Sequence, residues 1–346
     1  MSSCGNTAIV AASCGFNNNN TNINNIKSIY ILKKVFKCEC EKKILNLIKY
    51  NKKLQNIFYY NIDDYKKHTS TRITVVLSNS KECHKLLKYD KYDNNEILPL
   101  FKDEENIKFK CNRNKKNEII NVDVIINSSI TDLSGLFRQQ YGIAGIFFKR
   151  VNYQIKNISN MFCDCHRLKV VDFKNFKFEN IENMRGLFAL CDRLEEIDWP
   201  EINTEKVTDM SDMFYKCESL KEINLNHFNT KNVKSMSGMF HACKSLEKIK
   251  LKNFDTTNVE EMNEMFYLCK SLKKINLKYF NNEKDCNFFQ MFAGCSSLTK
   301  LNIKNLHFNN EYFNSIFLGL NVNKIKIKVN EKYEELFKRY KKIIFI

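Results

Sequence analysis

The sequence predicts an α/β solenoid, a chain wound into stacked repeats in which short parallel strands alternate with helices. Three observations carry this. Phe137, Phe162, Phe188, Phe214, Phe240, Phe266, Phe292 and Phe317 recur at intervals of 25 or 26 residues, giving about eight copies. Cys165, Cys191, Cys217, Cys243, Cys269 and Cys295 follow at an unbroken interval of 26, and Leu168, Leu194, Leu220, Leu246, Leu272 and Leu298 stand three residues behind them. Inside each copy the apolar spacing switches from a helical period to a strand period, and self-similarity at a fixed period of about 20 to 50 residues marks a stacked-repeat architecture.

Five segments are expected along the chain. Residues 1–25, which include "NNNNTNINN", are a low-complexity polar stretch expected to be disordered. Residues 26–70 form a basic helical module, with Ile29, Leu32, Val35 and Phe36, then Ile44, Leu47 and Ile48, in amphipathic spacing. Residues 71–129 contain "ITVVLSNS", "NIKFKCN" and "IINVDVIIN", which read as strands forming a connector or N-terminal cap. The repeats occupy 130–327, and Tyr333, Leu336, Phe337, Tyr340 and Ile344 then make a stripe suited to a C-terminal capping helix over 328–346.

In one copy, Met236, Met239, Phe240, Cys243 and Leu246 fall on one face of a helix. Leu246, Ile249 and Leu251 then alternate as a short strand, and Phe254 with Asp255, Thr256, Thr257 and Asn258 turns the chain toward Val259 and the next copy. The first copy, with Leu133, Leu136, Phe137, Ile143, Ile146 and Phe148, keeps this pattern in degraded form, as does the last, with Ile316, Phe317, Leu320, Ile325 and Ile327. Terminal repeats of this kind are expected where a stacked core must be closed. A single copy cannot bury enough apolar surface to offset its ordering entropy, so the copies are stable only when stacked.

The motif M-F-x-x-C-x-S-L-x-x-I-x-L-x-x-F-[DN]-T-x-x-V-x-x-M resembles the BspA-type leucine-rich repeat over about 130–327. That resemblance implies a non-catalytic binding scaffold, and its members at cell surfaces imply an adhesion role as an alternative. A helical start followed by such repeats is also similar to F-box proteins, the substrate adaptors of ubiquitin ligases. "IYILKKVFKCECEKKILNLIKYNKKLQ" resembles an F-box without the usual Leu-Pro opening.

The fixed letters are expected inside. The Cys column reads as small, polarisable core residues, because neighbouring helices pack about 8–10 Å apart and a disulfide needs Cα atoms within about 7 Å. The columns of Met184, Met210, Met236 and Met262 and of Met161, Met213, Met239, Met265 and Met291 read as core filling. Trp199 stands where other copies have Leu225, Leu251 and Leu277, and Pro200 beside it predicts a locally distorted strand. Function is assigned instead to the variable strand positions, which should line the concave face: Glu195, Glu196 and Asp198, then Lys248, Lys250, Lys252, Lys273, Lys274, Lys278, Lys300 and Lys304. The face runs from acidic to basic, a gradient that can orient a partner of complementary charge.

The net charge of +17 admits an anionic partner, but the chain is rich in Lys and poor in Arg, the residue preferred for bidentate phosphate recognition. Rings for stacking bases are few, His227 and Tyr279 being the main candidates. A protein partner is therefore expected, with nucleic acid and anionic lipid not favoured, and the chain is expected to be a monomer. No phosphate-binding, zinc-protease, nucleophile-elbow or dinucleotide motif occurs, so no catalytic, cofactor or metal site is expected. Cys163, Asp164, Cys165 and His166 form a short cluster of metal-ligating residue types, with Cys165 already committed to the repeated column. The 14 Cys form no C-x-x-C pair, and free thiols in a reducing cytoplasm are expected, with a cell surface as the alternative.

Overall fold

In a computed structural model, residues 70–78, 107–113, 119–151, 154–282, 286–308, 313–320, 325–336 and 338 are described. The chain divides into two compact units, Met1–Thr69 and Ser70–Ile346. The low-complexity start, the basic module up to residue 69 and its F-box resemblance lie outside the described residues. Phe337, Tyr340 and Ile344 of the C-terminal stripe do too.

The second unit is a solenoid of parallel rungs, as the repeat requires. Its strands are β1 (Thr71–Leu77), β2 (Ile107–Arg113), β3 (Ile119–Ile126), β4 (Ile143–Arg150), β5 (Val170–Asp172), β6 (Glu196–Asp198), β7 (Glu222–Asn224), β8 (Lys248–Lys250), β9 (Lys274–Asn276), β10 (Lys300–Asn302) and β11 (Lys326–Lys328). One sheet runs in the order β2-β3-β1-β4-β5-β6. Its first four strands pair antiparallel, with Ile73 and Val75 of β1 buried, and β4 then passes to β5 in parallel register through Ile146 and Val171. The antiparallel strands thus occupy the edge on which a further parallel rung would otherwise stack.

The expected repeat helices do not form. Ile158, Asn160, Phe162 and Asp164 instead donate their N–H groups to the carbonyls of Asn183, Arg185, Leu187 and Ala189 in the next rung, at 2.7–3.1 Å. Met161, Cys163 and Cys165, between them, close turns on the carbonyls three residues back. A helix would use every N–H within itself, whereas this alternation spends half of them on the neighbouring rung. Among the described residues of the repeats, α-helix appears at α1 (Phe313–Ile316), 4 residues in the last copy.

These turns need a left-handed residue. Gly135, Asn160, Gly186, Asp212, Gly238, Glu264 and Gln290 have positive φ, as do residues four further on, from Gln139 to Gly294. Almost all stand third in a four-residue turn, where the type II geometry requires φ > 0. Glycine suits Gly186 and Gly238 on a second count, since an added Cβ there would push aside Asn160 Oδ1 and Asp212 Oδ1 of the preceding rung.

The core is a set of columns along the solenoid. The eight Phe rings stack face to face with centroids 5.4–6.1 Å apart, and both Met columns are fully buried. The Cys column is buried as free thiols, but the helix-spacing argument against disulfides is corrected. Hydrogen-bonded rungs lie only about 4.8 Å apart. What keeps the thiols apart is that stacked side chains project in parallel, leaving the Cβ atoms farther apart than the roughly 3.5–4.5 Å a disulfide takes. Each Sγ instead donates to the Phe carbonyl of the preceding rung, as from Cys191 to Phe162 at 3.0 Å and from Cys243 to Phe214 at 3.1 Å. Burial pushes these thiols well above their ordinary range, Cys243 and Cys295 up to about 12.

The repeated Thr of the turn motif has a specific use. Thr204, Thr230 and Thr256 are fully buried. Thr230 Oγ1 donates to the Asp255 carbonyl at 2.7 Å and accepts from the Asp255 N–H at 2.8 Å, so one hydroxyl satisfies both backbone groups of the next rung. Asn282 does the same for His307 with its amide. The column ends on Tyr333, in the 3-10 turn Glu331–Tyr333, whose hydroxyl accepts from the Phe308 N–H and donates to its carbonyl.

Candidate functional site

The strand side of the solenoid carries three outward positions per rung, most of them exposed and the rest half-buried. Two flank the central residue of each strand, which is buried or, at Ile197, Ile249 and Ile327, half-buried, and one follows the strand, because alternate residues of a strand face opposite ways. In register these positions form columns: Glu196, Glu222, Lys248, Lys274, Lys300 and Lys326 in the first, and Asp172, Asp198, Asn224, Lys250, Asn276, Asn302 and Lys328 in the second. The third holds Lys174, Asn226, Lys252, Lys278 and Lys304. Every residue expected on this face is at the surface: Glu195, Glu196, Lys248, Lys250, Lys252, Lys273, Lys274, Lys278, Lys300 and Lys304 are exposed and Asp198 is half-buried.

The two ends of this face differ in how their charges are answered. Lys169 pairs with Glu195 at 3.2 Å and Lys174 with Asp198 at 2.8 Å. Lys248 reaches back to Glu222, and Lys273 lies 3.8 Å from Glu247. Beyond these, Lys250, Lys252, Lys274, Lys278, Lys300, Lys304, Lys326 and Lys328 have no ion pair among the described residues. Lys326 and Lys328 extend the expected set by one rung; the interval of 26 from Lys300 and Asn302 would have found them. Of the two ring candidates, His227 and Tyr279 are both exposed, and the Lys278 ammonium lies 4.5 Å from the Tyr279 ring centroid.

The sheet under this face is interrupted between β6 and β7 and between β8 and β9. At the first interruption stands Trp199, stacked on Phe173 and edge-on to Phe228, each at 5.1 Å, with its buried indole N–H unbonded. Pro200 has no N–H to give Asp198, whereas Asp172, Asn224, Asn276 and Asn302 each accept from the residue two further on. The Asp198 carboxylate turns to Lys174 instead. The second interruption has no comparable cause in the structure.

A second cluster lies on the turn side. His241 is sandwiched between Tyr215 and Tyr267, at 4.6 and 4.8 Å, and its Nδ1 lies 2.9 Å from Glu264 Oε2. Burial lowers the His241 pKa, against the pull of Glu264, and burial raises that of Asp212 nearby. Cys163 and Cys165 are buried, while His166 bonds to Asp164 and Asp192, each at 2.8 Å. Among the described residues no group of three or more His, Cys, Asp or Glu side chains converges as a metal would require, and no helix is long and apolar enough to cross a membrane.

A known family accounts for the repeat. The profile described as "Mycoplasma protein of unknown function, DUF285" matches residues 105–217 and again 192–306, together more than half of the chain. The chain belongs to the DUF285 family. The two matches to DUF285 overlap within the rungs of β6 and β7, as expected where a profile spans several copies of one repeat and slides along them. No curated protein and no solved structure matched the chain.

Proposed function

We propose that this DUF285 protein is a non-catalytic interaction scaffold of the BspA leucine-rich-repeat type, binding a protein partner through the strand face. The observation that supports the reading is the division of each rung. The fixed letters Met, Phe, Cys, Leu and Thr are buried, while the flanking strand positions are exposed and differ from rung to rung in charge. A solenoid built this way can change its outer residues without disturbing its core, which is how repeat proteins present extended binding surfaces. Buried thiols held far above neutrality and bonded to carbonyls are poor nucleophiles, which favours a structural over a catalytic role for the most regular reactive residue in the chain.

The test is affinity capture from the source cells with the full chain, beside a variant carrying Lys250→Glu, Lys274→Glu and Lys300→Glu. A partner retained by the native chain and by a turn-side Ser237→Glu control, but lost from the strand-face variant, is the expected result. Capture that is indifferent to the strand-face reversal while the variant melts at the native temperature refutes the reading.

A further inference from the structure

The strand face holds two zones of opposite sign, each with charge left over. On the rung of β6, Glu195 and Asp198 are answered by Lys169 and Lys174, but Glu196 and Glu201 are exposed with no ion pair among the described residues. From β8 to β11 the eight lysines named above are unanswered. At a rung spacing of about 4.8 Å, the lysine zone extends about 14 Å along the solenoid and lies within about 24 Å of face counted from β6. Like charges at such spacing repel and each lysine is left to water, so a ligand that answers them gains Coulomb energy that the folded chain alone does not.

The size and polarity of the zones select the ligand. A duplex or a lipid surface presents one sign over a distance longer than 14 Å, and would set phosphates against Glu196 and Glu201 as well as against the lysines. The lysine zone also lacks Arg, and among its described residues Tyr279 is the one exposed aromatic ring beside the lysine columns, with His307 further round the rung, so neither bidentate phosphate contacts nor a stacking platform is built there. A polypeptide can carry both signs in separate blocks.

We infer that the face from β6 to β11 binds a polypeptide segment of segregated charge, its carboxylates over the β8–β11 lysines and its basic block over Glu196 and Glu201. This rests on the strand-face reading above and gives its partner a chemistry. The site is complementary in order as well as in sign, so the segment is held in one direction along the solenoid.

The test uses the full chain and fluorescent peptides with about five glutamates followed by about three lysines, long enough to cover the face at about 3.4 Å per residue. The comparison peptide has the same composition with the signs interspersed. Fluorescence anisotropy should give at least about tenfold tighter binding for the block peptide, about 1.4 kcal/mol. Lys274→Glu with Lys300→Glu should remove that binding, and Glu196→Lys with Glu201→Lys should erase the preference for block order while keeping affinity for carboxylates. Where a reversal fails to fold, the Gln variants serve in its place. Equal binding of the two peptides overturns the inference, as does tighter binding of a thymidine oligonucleotide or of phosphatidylserine vesicles. If the block peptide fails while partner capture still depends on Lys250, Lys274 and Lys300, this inference falls and the scaffold reading stands; if capture ignores those lysines, the scaffold reading itself falls.

Discussion

On the turn side of the solenoid, paired residues run without a break from Asp132 through Asn157, Asn183, Asp209, Ser235 and Glu261 to Asn287. On the strand side, the same rungs are joined in three separate sheets. Nearly all the invariant letters of the repeat lie on or behind the turn side, where Met, Phe and Cys fill the core and each second N–H crosses to the next rung. The strand side tolerates Trp199, Pro200 and a run of like charges. Along the continuous ladder the inward letters are fixed and only small or polar outer residues vary, whereas the interrupted side also admits Trp199, Pro200 and changes of charge. The fixed core and the variable charges are therefore carried by different sides of the same rung.

The largest expected effect tests the turn side through pH. The six column thiols have folded pKa values raised by burial above the ordinary 9.0. Above pH 9 the unfolded chain therefore loses protons that the folded chain keeps. Their stabilisation is complete below the ordinary thiol value and is lost as pH rises through the raised folded values, all six thiols acting in the same direction. Urea unfolding at pH 8 and pH 10 measures this, and Cys243→Ala should reduce the slope by the share of one thiol. An equal slope in the variant would break the assignment.

Truncating one ring of the stack comes next. Phe240→Ala should cost about 3–5 kcal/mol by calorimetry or urea melts, because Phe214 and Phe266 lie on either face and cannot close the gap without parting their rungs. Thr230→Val keeps the shape but leaves the Asp255 N–H and carbonyl without their shared hydroxyl, and should cost about 1–3 kcal/mol in the same measurement. The smallest effect belongs to the strand side. Lys274→Ala should change stability by no more than about 0.5 kcal/mol, since its ammonium touches no carboxylate among the described residues. A large loss there would mean that the strand face is part of the frame after all.

The period, the buried letters and the outward lysines were all legible in the sequence, because a 26-residue interval superposes every rung on the next. The conformation of the Met-Phe-Cys segment was not. Apolar residues at i, i+3, i+4 and i+7 describe a helix face, but they also describe two consecutive turns whose alternate N–H groups leave the segment. Only backbone chirality separates the two. Gly135, Gly186 and Gly238, spaced by about two repeats, were the available trace of it, and their scarcity hid the pattern. The cross-rung ion pairs were within reach, since Lys169 and Glu195 differ by one interval, as do Glu222 and Lys248. The interruption at Trp199 was readable from Pro200; that between β8 and β9 left no mark in the residues.

The glycines carry one further consequence. Gly135, Asn160, Gly186, Asp212 and Gly238 alternate between a residue with no side chain and, at Asn160 and Asp212, one whose polar group lies over the glycine that follows. Through this stretch the chain repeats every 26 residues in its core but every 52 at its left-handed corner. Removing a single copy, such as residues 161–186, would bring Asp212 beneath Asn160, putting a Cβ where the Asn160 amide already sits. Removing two copies would restore a glycine there. From Gly135 to Gly238, a pair of rungs is therefore the unit that keeps each polar corner residue against a glycine.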